Sequence, residues 1–310
     1  LTAEQVEFTM RIAIAQIKPR KAEYRANLAR LGETFLQINK LEPRPNVLVL
    51  PETALTGYFL EGGVRDVALS REGLFDDLSA LYAETCGSSA PVLDILLGFY
   101  ELCDGKYYNS ALYASMGGDS PGIIHVHRKF FLPTYGVFDE KRFVARGRSI
   151  DAFHTDPGRS SVLICEDVWH SVSATLSALK GAQIIYVISA SPGRDFHGQS
   201  TGNLDRWDTL LPGIAEEHCV FVVYAGLVGF EGGKGFTGTS QVVDPWGKVL
   251  VKGPLLDECL LVADIDLDDV AAARAGSPYL ADLESTLTDI AYQFDGVARN
   301  LAHMPPLEPE

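Results

Sequence analysis

Short runs of β-branched and aromatic residues, spaced by stretches with a helical period, constrain this chain most. The runs are "RIAIAQI" at 11, "NVLVL" at 46, "ILLGFY" at 95, "SALYASM" at 110, "IIHVH" at 123, "SVLIC" at 161, "QIIYVIS" at 183, "CVFVVYAG" at 219, "SQVVD" at 240 and "CLLVADI" at 259. They predict strands. Segments 21–41, 73–86, 171–180 and 205–218 place Leu, Ala and charged residues three and four apart, which predicts helices between them. "NVLVL" and "QIIYVI" are apolar on both faces, as strands covered on both sides must be. The pattern is α/β, with no internal repeat and no low-complexity linker.

At 310 residues with 46% apolar content, the chain has material for a sizeable core. The reading is one domain over 10–270, followed by a tail, 271–310. In the tail a Ser-Pro break precedes an amphipathic helix predicted over 279–300. Leu280, Leu283, Leu287, Ile290, Ala291 and Phe294 form an apolar stripe on that helix, so a homodimer or higher homo-oligomer is expected, partly through the tail. No apolar run is long enough for a membrane helix, and "LTAEQVEFTM" lacks the pattern of a signal peptide. The expected compartment is the cytoplasm.

Acids outnumber bases 41 to 26, for a net charge of −15, which disfavours nucleic acid and anionic lipid as partners and favours a small molecule. The five cysteines, at 86, 103, 165, 219 and 259, include no CxxC pair and read as free thiols. His125 and His127 alternate on one strand without a third ligand, which makes a poor metal site. Asp264, Asp266, Asp268 and Asp269 lack the glycine and terminal Glu of a calcium loop. "EGGKGFTG" at 231 lacks the order of a P-loop and reads as a flexible loop. Neither a metal nor a cofactor is expected.

Chemistry-bearing residues cluster just after strands. "NVLVLPETALTGY" puts Glu52 behind a proline that stops pairing, "HVHRKFFLPTYGVFDEKRF" carries Lys129 and Glu140, and "SSVLICEDVWH" ends a strand on Cys165. Singly, Glu52 could cap a helix, Lys129 could be a surface charge, and Cys165 could be one more small buried residue. Together they are the types a thiol hydrolase needs. A carboxylate takes the thiol proton, a cation and a backbone N–H meet the negative charge that develops, and the thiolate attacks carbon. A sharp turn after Cys165 into a helix near Asp167 is expected to aim the N–H of Glu166 at that charge and to lower the thiol pKa.

With "LPETALTGY", "HRKFFLPTYGVFDEKRF" and "VLICEDVW" in that order, the chain resembles the nitrilase, or carbon–nitrogen hydrolase, superfamily over most of residues 11–265. "ISASP" at 188, "AEEHCVFVVYAGLVG" at 215 and "GFTGTSQVVDPWGKVL" at 235 add to the likeness. The resemblance implies a four-layer α-β-β-α sandwich and no metal or cofactor. It assigns Glu52 as general base, Cys165 as nucleophile, Lys129 as oxyanion support and Glu140 as a second glutamate that positions substrate and water. Within the superfamily the pattern is most similar to the glutaminase domains of glutamine-dependent NAD synthetases, through Tyr58, Tyr135, Phe138, Glu140 and Glu166, and nothing resembles the synthetase half. Those domains continue Asn-Ala-Ser-Pro into an aromatic, a Lys and an Arg. Here Ser189-Ala190-Ser191-Pro192-Gly193 stands instead, with Arg194 and Arg206 the nearest bases. Tyr58, Tyr135, Phe138, Glu166 and Ser191 are the implied substrate contacts.

The expected substrate is a small amide with an amino-acid-like head, glutamine leading. N-carbamoyl amino acids, aliphatic amides and nitriles compete through the same triad, and a silent ligand-binding member is the alternative from another class. A papain-like hydrolase is disfavoured, since its Cys motif is missing and His is sparse.

Overall fold

The structure is a computed structural model that describes residues 9–193, 196–197 and 200–303. β1 (Thr9–Gln16), α1 (Tyr24–Asn39) and β2 (Val47–Val49) open the fold, and the short α2 (Val64–Val67) leads into α3 (Arg71–Cys86). Three strands follow, β3 (Leu93–Cys103), β4 (Lys106–Met116) and β5 (Gly122–Arg128). The second half runs β6 (Ala152–Thr155), β7 (Gly158–Ile164), α4 (Ser171–Leu179), β8 (Ile184–Ser189), β9 (Phe196–His197), β10 (Ser200–Thr201) and α5 (Gly202–His218). It continues through β11 (Phe221–Gly226), β12 (Val228–Glu231), β13 (Lys234–Thr237), β14 (Gln241–Val243), β15 (Val249–Lys252), β16 (Cys259–Asp266), α6 (Asp268–Gly276) and α7 (Tyr279–His303).

Two six-stranded mixed sheets result, in the orders β16-β1-β2-β3-β4-β5 and β15-β14-β11-β8-β7-β6. Each has a parallel centre, β1-β2-β3 in one and β7-β8-β11 in the other. The two-residue period of a strand decides which layer each side chain enters. Ile12, Ile14, Val47, Val49 and Leu96 point inward to meet Val162, Ile164, Ile184, Tyr186, Ile188 and Val223 of the other sheet. Their neighbours Ala13, Ala15, Leu48, Ile95 and Leu97 face outward onto Leu28, Leu31 and Phe35 of α1 and Leu74 and Leu78 of α3. On the far side Leu163, Ile185, Val187 and Val222 receive Ala174 of α4 and Trp207, Leu211 and Ala215 of α5. This is the four-layer α-β-β-α sandwich.

Several elements left no clear trace in the sequence. β6 and β15 are short strands at the two opposite edges of one sheet, and "EGGKGFTG" is not a loose loop but the turn and second strand of a β12–β13 hairpin. No helix among the described residues is long and apolar enough to cross a membrane.

α7 covers the predicted 279–300 and runs to His303. Its first turn is anchored by buried Leu280, yet Tyr292, Phe294, Val297 and Leu301 stay 80%, 65%, 56% and 63% exposed. Phe294, Val297 and Leu301 are spaced three and four apart, on one side of the helix. We propose that a second copy of this chain covers that side. Light scattering at micromolar concentration is expected to report more than one chain per particle, and Phe294→Glu with Leu301→Glu to reduce it to one.

His125 stacks on Phe153 with ring centroids 4.4 Å apart. Burial, helped by neighbouring His127, pushes its pKa down to about 4, against the opposing charge of Asp151. Between pH 4 and the ordinary histidine value the unfolded chain binds a proton that the folded chain refuses. Stability is therefore full above that window and falls as the pH drops through it. Chemical denaturation is expected to show a loss of no more than about 3 kcal/mol from this group, absent in His125→Gln.

Candidate active site

The site lies at one end of the sandwich, where chain leaves the carboxyl ends of β2, β5, β7 and β8. Pro51 has no N–H to continue the β2 ladder, and Thr53 takes a left-handed backbone (φ 50°), so the chain turns sharply at Glu52. That turn presses on β3 at Gly98. Gly98 N donates to Pro51 O at 3.0 Å, and Ala54 N donates to Gly98 O at 3.1 Å. A Cβ at 98 would stand 2.5 Å from Glu52 Cα, so only glycine lets the turn close.

Glu52 and Lys129 are both fully buried. Lys129 Nζ donates to Glu52 Oε1 at 2.8 Å and to Glu140 Oε1 at 2.9 Å. Asn109 of β4 serves the same two oxygens, its Nδ2 donating at 2.7 and 3.1 Å. The second oxygen of Glu52 accepts from the Ala190 N–H, just past β8, at 2.6 Å. The Tyr58 ring lies 5.6 Å from the ammonium. Burial works against the Lys129 charge, but Glu140 and Glu52 outweigh it and hold the ammonium well above its usual range. Burial raises the Glu140 carboxyl, Lys129 opposes that rise, and Glu52 adds to it. Two carboxylates thus share one ammonium and one amide in a dry pocket.

Cys165 follows β7 directly and is 5% exposed. It takes a left-handed backbone, φ 46°, which a non-glycine residue adopts only where its surroundings enforce it. Asp167 enforces it here. Its Oδ1 accepts from the N–H groups of Phe130 and Phe131 at 2.9 and 2.8 Å, and its Oδ2 accepts from Ile164 N at 3.1 Å, with His127 Nε2 at 2.8 Å. One buried carboxylate therefore ties the cysteine turn to the segment after Lys129.

The expectation of a lowered thiol pKa is corrected. Burial, then the Glu52 charge, push the Cys165 thiol far up, and Lys129 offsets only part of it. The helix expected to open near Asp167 is only a 3-10 turn, Cys165–Trp169, and α4 starts at Ser171.

Tyr135 Oη donates to Glu166 Oε2 at 2.8 Å, and His170 Nε2 is 3.8 Å from Glu166 Oε1. These three line a groove of about 630 Å³. Tyr58, Phe138 and Glu140 line a smaller cavity of about 200 Å³. Tyr58 and Phe138 pack with Ala190, Leu227 and Phe236. Ser191 Oγ accepts from Trp207 Nε1 at 3.1 Å and Asn203 Nδ2 at 3.3 Å, both of α5. Arg194 lies outside the described residues. Among those residues no cluster of His, Cys, Asp and Glu could hold a metal.

Sequence reasoning missed Asn109, Asp167 and Glu231. Glu231 reaches under the Glu52 loop, its carboxylate accepting from Tyr58 N at 3.0 Å and Phe59 N at 2.8 Å. Asp167 carried a signal, an acid two residues after the cysteine. Asn109 carried none.

The family model for carbon-nitrogen hydrolases matches residues 11–275. The chain belongs to the carbon-nitrogen hydrolase family. Enzymes of this family cleave carbon–nitrogen bonds other than peptide bonds. The chain is 32% identical over 265 residues to a glutamine-dependent NAD(+) synthetase of Thermotoga maritima, covering 84% of this chain and 42% of that protein. It thus spans less than half the length of that relative. It is 29% identical over 251 residues to a 2-oxoglutaramate amidase of Bacillus subtilis, covering 81% of this chain and 89% of the relative. Among solved structures it superposes on a carbon-nitrogen hydrolase of Helicobacter pylori with a TM-score of 0.77 at 25% identity, covering 89% and 95% of the two chains.

Asn109 offers a direct test of the shared clamp. Asn109→Ala leaves both carboxylates without their neutral donor, and a hydrogen bond to a charged group is worth about 1.5–3 kcal/mol. Turnover is expected to fall about 10- to 100-fold with the far-ultraviolet circular dichroism unchanged.

Proposed function

We propose that this chain is a thiol amidohydrolase that releases ammonia from a small amide through a cysteine thioester. The observation that carries the reading is the buried Lys129 ammonium held by Glu52 and Glu140 beside Cys165. The thiol is neutral at rest, so Glu52 takes its proton as sulfur attacks the amide carbon, and no free thiolate is needed. Lys129 and the N–H of residue 166 stabilise the oxyanion. Glu52 then passes its proton to the leaving nitrogen, which departs as ammonia and leaves the thioester. Glu52 next deprotonates a water, which adds to the thioester carbon. The carboxylic acid leaves, and the thiol regains the proton.

The proposed substrate carries a polar, amino-acid-like head, with L-glutamine or a close ω-amide leading. Glu166 and Glu140 offer carboxylates to an ammonium, Tyr135 and Tyr58 offer hydroxyls, and Phe138 walls the aliphatic stem. A purely aliphatic amide would offer the Tyr135–Glu166 pair no further polar partner, which disfavours it against an amide with a polar head. The likeness to a 2-oxoglutaramate amidase over 89% of that protein favours a second reading, an ω-amide with a keto group in place of the ammonium.

Ammonia release from glutamine, 2-oxoglutaramate, propionamide and N-carbamoyl-β-alanine separates these readings. The highest kcat/KM is expected for one of the two ω-amides. If propionamide or the carbamoyl compound is turned over best, the ω-amide reading fails and the thioester chemistry stands. Cys165→Ala is expected to abolish turnover with the fold intact, and ammonia release by that variant sinks the mechanism.

A further inference from the structure

Arg71, Arg128, Arg146 and Arg148 line one cavity of about 260 Å³, beside Tyr108 and Ser149. In a chain whose net charge is −15, four guanidinium groups converge on one small space. Two of them are neutralised. Arg128 Nε and Nη2 reach both oxygens of Glu101 at 2.7 and 2.8 Å, and Arg71 Nε pairs with Glu72 at 2.7 Å. Arg146 rests over the Phe130 ring at 5.2 Å, and neither it nor Arg148 pairs with a carboxylate among the described residues. The cavity therefore keeps two uncompensated positive charges.

The backbone fixes this arrangement. Ala145 N donates to Tyr107 O at 2.8 Å, and Gly147 N donates to Lys129 O at 2.7 Å. A Cβ at 147 would stand 2.0 Å from Arg128 O, so glycine alone lets the Arg-Gly-Arg segment lie flat against the end of β5. That contact sets Arg146 and Arg148 on either side of Gly147, next to the Arg128–Glu101 pair. Arg71 is the first residue of α3, a helix of 16 residues, whose N-terminal dipole adds to the positive potential. Arg146 and Arg148 are both exposed, so their charge at the cavity is open to an anion from solvent. None of Glu52, Lys129, Glu140 or Cys165 lines the cavity, and it meets the Tyr135–Glu166–His170 groove only at Arg146, which lines both.

We infer that this cavity binds a phosphorylated small molecule, with Arg146 and Arg148 on its phosphate oxygens. Guanidinium groups match phosphate geometry with paired N–H donors, and a diphosphate offers one phosphate group to each of the two arginines. The source is either inorganic diphosphate or the diphosphate of a nucleotide.

Calorimetric titration of the full chain at low salt, with inorganic diphosphate, ADP and sulfate, tests this. Diphosphate or ADP is expected to bind one site per chain at about 100 μM or tighter, with sulfate at least about tenfold weaker. ADP binding well above diphosphate assigns a nucleotide, and equal binding assigns the phosphate groups alone. Arg146→Gln with Arg148→Gln is expected to weaken binding at least about tenfold without a change in melting temperature. Arg148→Glu is expected to do the same while ammonia release stays unchanged. No binding at about 5 mM, binding that both variants keep, or sulfate binding as tight as diphosphate would overturn the inference.

Discussion

A single ammonium, buried without contact with solvent, holds the working end of this fold together. Lys129 comes from sheet one, as does Glu52, and Glu140 from the loop that follows Lys129, yet all three meet within hydrogen-bond reach. Removing Lys129 strands two carboxylates away from water, which costs far more than the pairs contribute over an apolar substitute. Removing one carboxylate leaves the ammonium paired one to one with the other. Much of the surrounding architecture is explained by the need to pair these charges: the glycine that admits the Glu52 turn, the amide of Asn109 and the N–H of Ala190 all satisfy oxygens that water cannot reach.

The thiol sets a different problem from the one its neighbours in sequence suggest. An acid-rich segment after a strand reads as a helix start that would favour a thiolate. Folded, Glu166 and Asp167 belong to one 3-10 turn, and Asp167 spends its carboxylate on three backbone N–H groups and His127. The sulfur is desolvated next to a carboxylate and stays protonated. A base in contact with the reaction then matters more than a low resting pKa, which is a role for a buried Glu rather than for a helix end.

How much could be read beforehand follows from how far each signal reaches along the chain. The central strands and the helices that cover them declare themselves through period two and period 3.6, and their ends agree with the structure to within a few residues. β6, β15 and the β12–β13 hairpin do not: each pairs with its neighbour in sequence, but strands of 4 residues are too short for a two-residue period to show. Glu52, Lys129, Glu140 and Cys165 stand in recognisable segments. Asn109 and Glu231 do not, since each acts only on residues distant in sequence: Asn109 on Glu52 and Glu140, and Glu231 on the amides of residues 58 and 59. Ser191 stands in a recognisable segment too, and the Trp207 indole that donates to its hydroxyl is not legible from that segment.

Glu52 rises from the end of a strand in one sheet and Cys165 from the end of a strand in the other. The placement of Glu52 relative to the sulfur therefore depends on the layer that separates the sheets, packed by Ile14, Val49, Leu96, Tyr113, Ile164, Tyr186 and Ile188. That layer works like the shim in a caliper. In the proposed reaction, a change of one methylene there shifts one sheet end against the other and so resets the path of the proton from Cys165 to Glu52. Reactivity in such a sandwich can be tuned from its interior, and substrate choice from the loops at its end, by substitutions that need not meet.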